Sequence, residues 1–452
     1  MDSNIFQPRT VPGSDEIREI LVRRVDHQKQ AVGIVVGIID ANGRRVVAYG
    51  HPANGDSRVV DGDTIFEIGS VSKVFTSLLL ADMVNRSEVR LDDPASKYLP
   101  DSVTVPERSG KVITLLDLST HSSGLPTLPS NLKPKDVRNP YADYSVDDLY
   151  QFLCGYTLPR DPGSEFEYSN LGAGLLGHLL ASRVGADYES AIRIRITEPL
   201  GMPDTGITLS SSMKQRMATG HNAMLAPVAD WDFLTLAGAG ALRSSANDLL
   251  TFLEAFLGYK ASPLAPAMKT MFDVRRLFGK LEVGLGWTIS SVHNREIAAH
   301  EGGTGGFRSL VGYDPNERIG VVVLSNASTP IGVFDIGAHL LDPNWSLANL
   351  EPPKQRTDVA IDSRLLDHYT GRYQVTPALI LEITREGDRL FAQAVVQAMS
   401  GPKFELFAES ETKFFAKVSD KQIAFETDAE GQAMGLVLYA SGRPPMPAAR
   451  VS

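Results

Sequence analysis

The chain reads Thr64-Ile65-Phe66-Glu67-Ile68-Gly69-Ser70-Val71-Ser72-Lys73 where a short strand is expected to give way to a helix. Residues three apart share one face of a helix, so the Ser70 hydroxyl and the Lys73 amine are expected within hydrogen-bond reach. A serine hydroxyl is a weak nucleophile until a base takes its proton, and burial lowers the pKa of a lysine enough for it to be that base. The stretch therefore predicts a nucleophile and its base at one helix N-terminus.

The residues that follow predict a helix that runs through the core. Apolar side chains recur at roughly helical spacing, at Val71, Val74, Phe75, Leu78, Leu79 and Met83. The N-terminus of this helix is expected at a cleft, where the positive end of the helix dipole lies near Ser70. A Ser-x-x-Lys pattern alone is weak, because it arises by chance in many chains and usually lies on a solvated helix face.

Composition bounds the class of protein. The chain has 452 residues, 43% hydrophobic and 22% charged, which is typical of a globular enzyme of two or three domains. Lys and Arg number 44 against 54 Asp and Glu, a net charge of -10, and no basic run occurs. This balance argues against nucleic acid as a partner.

Cysteine and histidine usage argues against a disulfide or a metal site. The single Cys154 excludes an intramolecular disulfide, and we predict that it is a small core residue. The nine histidines form no HExxH motif and no Cys/His cluster, so no zinc site is expected.

The first residues bear on the compartment. The segment Met1–Pro8 has neither a basic start nor an apolar core, and no run of the chain approaches the ~18 apolar residues of a membrane span. We therefore predict a cytoplasmic protein that does not bind a membrane. A trimmed mature form would instead be periplasmic or secreted.

Periodicity indicates an α+β fold for the first 350 residues. Helical spacing occurs at 16–28, 146–154, 171–184, 188–196 and 247–257, and strand signals occur at 33–47, 284–291, 308–314 and 319–324. Strands at both ends with helices between them predict an antiparallel sheet whose first and last strands meet, flanked by a helical subdomain. The cleft should lie between the two.

A second unit is expected after a proline-marked connector at Glu351-Pro352-Pro353-Lys354. Short alternating segments follow, separated by turn residues, which is typical of a small up-and-down β-barrel or a sandwich. We therefore predict two domains, residues 1–350 and 358–452.

Two further segments carry side chains suited to acyl chemistry. The loop that ends in Tyr168-Ser169-Asn170 supplies a phenol and an amide just ahead of a helix. A cationic lysine nearby would lower the pKa of Tyr168, so that its oxygen could relay a proton, and the Asn170 amide could bind a substrate carbonyl. By itself this pattern also fits a capped helix start.

The segment His300-Glu301-Gly302-Gly303 joins a polar side chain to glycines on a predicted strand. Glycine allows close approach of another backbone, and such a strand can offer an N–H to a substrate carbonyl oxygen. Together with the Ser70 N–H it would complete an oxyanion hole of two donors. Alone, the histidine also fits a core or edge position.

In this order the three motifs resemble those of the penicillin-recognising serine hydrolases: a Ser-x-x-Lys, a Tyr-x-Asn or Ser-x-Asn, and a Lys/His-x-Gly. The nearest branch is the class C β-lactamase group, which also holds D-alanyl-D-alanine carboxypeptidases, D-aminopeptidases, amidases and β-lactamase-like esterases. The resemblance spans roughly residues 15 to 345 and includes three more segments, at 113–126, 198–202 and 238–245.

This resemblance implies a β-lactamase/transpeptidase-like fold and a role for each motif residue. Ser70 would be the acylated nucleophile, Lys73 its activating partner and Tyr168 the proton relay. Asn170 would contact substrate, His300 would polarise it, and the glycine pair Gly302-Gly303 would line the oxyanion hole, with the N–H of Gly303 as second donor. The substrate would be a small ester, amide, peptide or β-lactam. No metal or organic cofactor is implied.

One departure bears on the substrate. Class C β-lactamases carry Lys-Thr-Gly where this chain has His300-Glu301-Gly302, a form that resembles the peptidase, amidase and esterase members. A neutral histidine attracts a substrate carboxylate less than a lysine, and Glu301 adds negative charge if it faces the cleft. We therefore expect an esterase, amidase or peptidase with weak β-lactam hydrolysis.

The alternatives are a class C-type β-lactamase, a transacylase, and a non-catalytic penicillin- or peptide-binding module. An α/β-hydrolase is disfavoured because no G-x-S-x-G elbow occurs.

The tail resembles the lipocalin-like domain attached to some of these peptidases, with Tyr369-Thr370-Gly371-Arg372-Tyr373 as its opening. It could gate the substrate, or stabilise the catalytic domain or a homo-oligomer.

Overall fold

A computed structural model describes residues 11–292, 295–354, 356–377, 379–396, 399–419, 421–440 and 444–451. The segment Met1–Pro8, on which the predicted compartment depends, lies outside these residues.

The helices connect and flank the strands. The α-helices are α1 Ser14–Val22, α2 Ser72–Asn85, α3 Leu115–Ser119, α4 Val146–Gly155, α5 Asn170–Val184, α6 Tyr188–Ile192, α7 Glu198–Leu200, α8 Ser211–Arg216, α9 Ala246–Phe256, α10 Ala265–Asp273, α11 Phe334–Leu341 and α12 Leu366–Tyr369. Short π-helical turns continue α1 and α6, at Arg23–His27 and Arg193–Thr197, and 3-10 turns occur at Gly69–Val71, Ala95–Tyr98, Ala237–Ala239 and Ser363–Leu365. None of the helices in the described ranges combines the length and apolar character that crossing a membrane requires.

The strands form two main assemblies. They are β1 Gly33–Asp40, β2 Gly43–Gly50, β3 Ile65–Glu67, β4 Glu107–Arg108, β5 Lys111–Val112, β6 Arg243–Ser245, β7 Arg276–Phe278, β8 Leu281–Val283, β9 Thr288–Val292, β10 Arg295–Gly303, β11 Arg308–Asp314, β12 Ile319–Ser325, β13 Gly371–Thr376, β14 Leu379–Glu386, β15 Arg389–Val396, β16 Met399–Ala408, β17 Lys413–Phe415, β18 Gln422–Thr427, β19 Ala433–Tyr439 and β20 Met446–Val451.

The first assembly is an antiparallel sheet in the order β2-β1-β12-β11-β10-β9-β8-β7. Strand β1 pairs with both β2 and β12, and Val36 lies opposite Val323. The predicted meeting of the first and last strands is therefore confirmed, and the α+β fold with it. This closure brings β10, late in the chain, into the same sheet as β1.

Both faces of this sheet are covered. Ile34, Val36 and Ile38 of β1 belong to one core with α1 and α11, whereas Val35 and Ile39 belong to the larger core on the helical side. Because both faces are buried, β1 reads as a continuous apolar run rather than as an alternation.

Helix α2 lies inside the larger core. Every side chain from Ser72 to Met83 is buried, and the ring of Phe75 stacks on that of Phe252 with centroids 4.5 Å apart. Helix α2 therefore runs through the core, as the sequence predicts.

The second assembly is a closed barrel of β13 to β20 in chain order. Of the two predicted alternatives the barrel is correct, and the sandwich is wrong. The sequence did not reveal the closing strand β20, in which Pro447 interrupts the apolar pattern. Inward-facing side chains such as Tyr373, Leu381 and Leu436 give the barrel its own apolar core.

Cys154 corrects a prediction, since it is exposed rather than in the core. On α4 the core face is formed by Leu149, Phe152 and Leu153, and the next residue turns toward solvent. Its Sγ accepts a hydrogen bond from the N–H of Thr104 at 3.3 Å.

The burial of α2 predicts a large cost for truncating it. We expect Leu78→Ala to lower the free energy of unfolding by about 2–5 kcal/mol, because the fully buried Leu78 leaves a cavity. The matched control Val59→Ala, at a position 69% exposed, should change it by about 0.5 kcal/mol or less. Denaturant unfolding measures both, and equal effects would contradict the buried position of α2.

Candidate active site

The candidate site lies where the turn ahead of α2 meets β10. Gly69 has φ +49°, and a Cβ on it would lie 2.6 Å from the backbone nitrogen of Gly303. A Cβ on Gly302 would collide with the carbonyl oxygen of Ile68. Only glycine fits at these contacts, and the backbone of β10 therefore lies against the turn that holds Ser70.

Lys73 is almost fully buried and is surrounded by oxygen atoms. Its Nζ lies 2.8 Å from Ser70 Oγ, 2.8 Å from Asn170 Oδ1 and 2.7 Å from the carbonyl oxygen of Ala239. Burial lowers the pKa of Lys73 well below its ordinary value.

This arrangement suits a neutral amine. A neutral amine has two N–H groups, which match the two oxygens of Asn170 and Ala239 that cannot donate. Its lone pair then faces the Ser70 hydroxyl, which is half-buried and open to the cleft. In this state Lys73 can take the Ser70 proton.

Tyr168 lies ahead of α5, beside Lys73, whose Nζ is 4.9 Å from the centroid of the Tyr168 ring. Burial raises the pKa of Tyr168 above its ordinary value, and the neighbouring Ser70 hydroxyl only partly opposes this. The expectation that Lys73 lowers the pKa of Tyr168 is therefore wrong, because a buried and largely neutral amine cannot offset the desolvation of a phenolate. Tyr168 is a neutral phenol, able to donate its proton.

Asn170 is the first residue of α5, and its amide oxygen accepts from Lys73. Burial raises the pKa of the nearby Tyr141, and the Asn170 amide opposes that rise. The amide therefore orients Lys73. Its predicted contact with substrate stays a prediction.

His300 lies on β10 and turns its ring toward Tyr168, with ring centroids 6.4 Å apart. Its Nδ1 is 2.7 Å from the carbonyl oxygen of Glu301, so Nδ1 carries the hydrogen and donates it. Burial lowers the pKa of His300 to about 4. His300 is thus neutral at physiological pH.

Glu301 alternates to the other face of the strand and is exposed. Its negative charge nevertheless contributes to the raised pKa of Tyr168. Partial desolvation of its carboxylate group raises the pKa of Glu301 itself, and the charge of Arg308 opposes that change.

Sequence reasoning missed two contributors. The buried His121 accepts the N–H of Ser169 at Nδ1, 3.1 Å away, and its ring lies 4.5 Å from that of Tyr168. The carbonyl of Ala239 accepts from Lys73. Both residues lie in segments that carry the family resemblance, but no spacing rule links them to Ser70. The contact of Ala239 is made by its backbone carbonyl, so the type of side chain at that position does not reveal it.

The structure thus gathers the predicted residues in one place. The side chains of Ser70, Lys73, Tyr168 and Asn170 form one contact network, His300 faces Tyr168, and Gly302 and Gly303 lie against the Ser70 turn, as described above. In the part of the chain that the structure describes, no three His, Cys, Asp or Glu side chains group closely enough to hold a metal ion.

Comparison with known proteins gives a consistent result. The profile of the beta-lactamase family matches residues 18–342, and that of a domain of unknown function, DUF3471, matches residues 355–447. The chain is 30% identical over 341 residues to the D-alanyl-D-alanine-carboxypeptidase/endopeptidase AmpH of Escherichia coli strain K12, covering 71% of this chain and 86% of AmpH. It is 27% identical to a beta-lactamase of the same strain, covering 75% and 95% of the two chains. The crystal structure of a class C beta lactamase from Rhodobacter sphaeroides superimposes with a TM-score of 0.63 at 26% identity, covering 73% and 98%.

The contact between Gly69 and Gly303 predicts a specific sensitivity. We expect Gly69→Ala to slow acylation of Ser70 by about 100-fold, because its Cβ would push β10 away from the turn. Gly55→Ala is a matched control, since Gly55 also has positive φ but a Cβ there meets open space. The control should lose about 1–2 kcal/mol of stability and keep its acylation rate. Stopped-flow acylation by an activated ester measures the rates, and an equal slowing in both variants would contradict the predicted contact.

Proposed function

The chain belongs to the beta-lactamase family and is a serine hydrolase, and from this premise we propose that it cleaves small esters or D-amino-acid amides and peptides through an acyl-Ser70 intermediate. The observation that carries the proposal is the set of hydrogen bonds around Lys73, which leaves a lone pair for the Ser70 proton.

Acylation begins when Ser70 Oγ attacks the substrate carbonyl carbon and its proton passes to Nζ of Lys73. The carbonyl oxygen becomes an oxyanion, and the backbone N–H groups of Ser70 and Gly303 are its donors in this proposal. The bond to the leaving oxygen or nitrogen then breaks, and that atom takes the proton of Tyr168. Lys73 returns its extra proton to Tyr168, so the enzyme regains its starting protonation.

Deacylation repeats these steps with water as the nucleophile. Tyr168 takes the proton of the attacking water while it passes its own phenol proton to Lys73, and Lys73 then gives that proton to Ser70 Oγ as the acyl bond breaks. An alcohol or amine in place of water would make the enzyme a transacylase. The raised pKa of Tyr168 supports a phenol as donor to the leaving group.

The state of His300 supports the substrate class. A neutral imidazole attracts a substrate carboxylate less than a lysine ammonium does. Because the pKa of His300 is about 4, the imidazole carries no positive charge near neutral pH that could attract a carboxylate. This favours uncharged esters, amides and peptides over β-lactam carboxylates.

A class C-type β-lactamase is the second candidate, and it is supported by the beta-lactamases among the named relatives, which also include a D-alanyl-D-alanine carboxypeptidase. A non-catalytic binding module is disfavoured, because the nucleophile, base and proton relay are all retained.

We also propose the division into domains 1–350 and 358–452, which the separate apolar core of the barrel supports. Substrate gating by the barrel, a homo-oligomer and a cytoplasmic location stay predictions from sequence.

Ser70 can be tested by intact-mass spectrometry after brief exposure to a penicillin, a cephalosporin, a short-chain aryl ester and a D-alanyl amide. We expect an adduct in the wild type and none in Ser70→Ala. Ser72→Ala is the matched control, since its hydroxyl accepts the N–H of Leu242 instead of facing Lys73, and the adduct should persist. An adduct on Ser70→Ala would refute the assignment, and rapid β-lactam turnover would promote the second candidate.

The charge at position 300 can be tested by His300→Lys. A cation there should raise kcat/KM for a penicillin relative to that for a neutral aryl ester, by about tenfold, which corresponds to one charge-assisted contact of about 1.4 kcal/mol. His300→Gln is the neutral control and should leave the ratio unchanged. Steady-state kinetics with both substrates measure it, and an unchanged ratio in His300→Lys would contradict the electrostatic argument.

A further inference from the structure

Glu67 is a buried carboxylate that the proposed reaction does not use. It ends β3, three residues ahead of Ser70, and only 3% of its side chain is exposed. Its Oε1 accepts the backbone N–H of Trp231 at 2.9 Å and an Nη2 hydrogen of Arg243 at 3.3 Å. Burying a carboxylate costs free energy that ion pairing and hydrogen bonds must offset.

The other carboxylate oxygen belongs to the side of Glu67 near Thr304, the residue that follows the end of β10. Oε2 of Glu67 and Oγ1 of Thr304 are both buried, and neither has a hydrogen-bond partner among the described residues. Burial raises the pKa of Glu67, and the nearby Thr304 hydroxyl opposes that rise. One carboxylate thus lies where the Ser70 turn, the Trp231 segment and the residue next to Gly303 meet.

The Trp231 segment forms an aromatic wall that leads to Lys73. The ring of Trp231 contacts those of Tyr141 and Phe233, with centroids 5.5 and 6.1 Å apart. Tyr141 lies near Asn170, which opposes the rise in the Tyr141 pKa that burial causes and accepts a hydrogen bond from Lys73. The indole nitrogen lies against Gly305, where a Cβ would be only 2.6 Å away. We therefore infer that the position of Trp231 affects both the width of the cleft and the placement of the polar groups around Lys73.

We propose that Glu67 is a positioning residue that holds the Trp231 wall in place beside the Ser70 turn and the end of β10, and so determines substrate affinity in the cleft. The inference rests on the proposed function only in its kinetic consequence. Ionised Glu67 balances the charge of Arg243, whose Nη2 also donates to the carbonyl of Trp231 at 3.2 Å. Protonation of Glu67 removes the buried partner of that charge, leaves Arg243 with the exposed Asp232, and loosens the position of Trp231.

The groups around Glu67 set the pH at which its carboxylate gains a proton, and this pH is near 7. Burial raises the pKa of Glu67 to about 7, with Asp230 acting in the same direction and Arg243 opposing it. Asp232 lies 3.6 Å from the same Arg243 nitrogen. His300, with its pKa of about 4, does not titrate in this range.

The test measures the fluorescence emission of Trp231 as a function of pH. The chain has three tryptophans, so Trp287→Phe with Trp345→Phe leaves Trp231 as the reporter. We expect its emission to titrate with an inflection near pH 7 and expect Glu67→Gln to abolish that inflection. If the double background does not fold by circular dichroism, the difference in emission between wild type and Trp231→Phe gives the same titration.

Asp230→Asn is the matched control because Asp230 lies beside Trp231 and its own pKa is raised by burial. It should keep the inflection and move it to lower pH, since a negative charge that favours protonation of Glu67 is removed. An inflection that survives in Glu67→Gln, or none in the wild type, overturns the inference.

Kinetics supply the second readout. With a neutral aryl ester, KM of the wild type should rise as pH falls through this inflection while kcat does not follow it, and Glu67→Gln should lose that dependence of KM. If the enzyme cleaves no ester, the proposed function is refuted. The emission titration still tests whether Glu67 controls the position of Trp231. If KM stays constant over the pH range in which the Trp231 emission titrates, the role of Glu67 in substrate affinity is overturned.

Discussion

The buried amine of Lys73 is the constraint around which this structure is organised. An ammonium at this depth would be costly, and a neutral amine needs acceptors for its two N–H groups. Asn170 from α5 and the carbonyl of Ala239 supply them. Two segments far apart in the chain must therefore converge on the first turn of α2, and their convergence leaves Ser70 as the group that faces the lone pair.

Backbone contact is the second requirement. The turn at Gly69 and the end of β10 approach so closely that neither Gly69 nor Gly302 tolerates a side chain. The sheet makes this contact permanent, because β10 is held in register by β11, and β11 by β12, which pairs with β1. The pairing of the sheet thus fixes the end of β10 against the turn that holds Ser70.

Desolvation then separates the roles of the polar groups. It lowers the pKa of Lys73 and of His300, whereas it raises that of Tyr168. The same burial therefore yields a neutral amine, a neutral imidazole and a neutral phenol, a combination suited to moving one proton without creating a lasting charge. Burial also lowers the pKa of His121, whose ring lies 4.5 Å from that of Tyr168, so this imidazole is neutral as well.

The sequence alone determined the α+β fold, the meeting of the first and last strands, the core helix after Ser70 and the tail rich in strands, because apolar periodicity and turn residues are local signals. It also determined the residue types of the site, through three ordered motifs. Only the tertiary structure decided that the tail closes as a barrel, that Cys154 faces solvent, that the pKa of Tyr168 rises, and that Ala239, His121 and Glu67 surround the site. These depend on what lies beside each group in space, and desolvation or a backbone carbonyl contact leaves no mark on the spacing of residues along the chain.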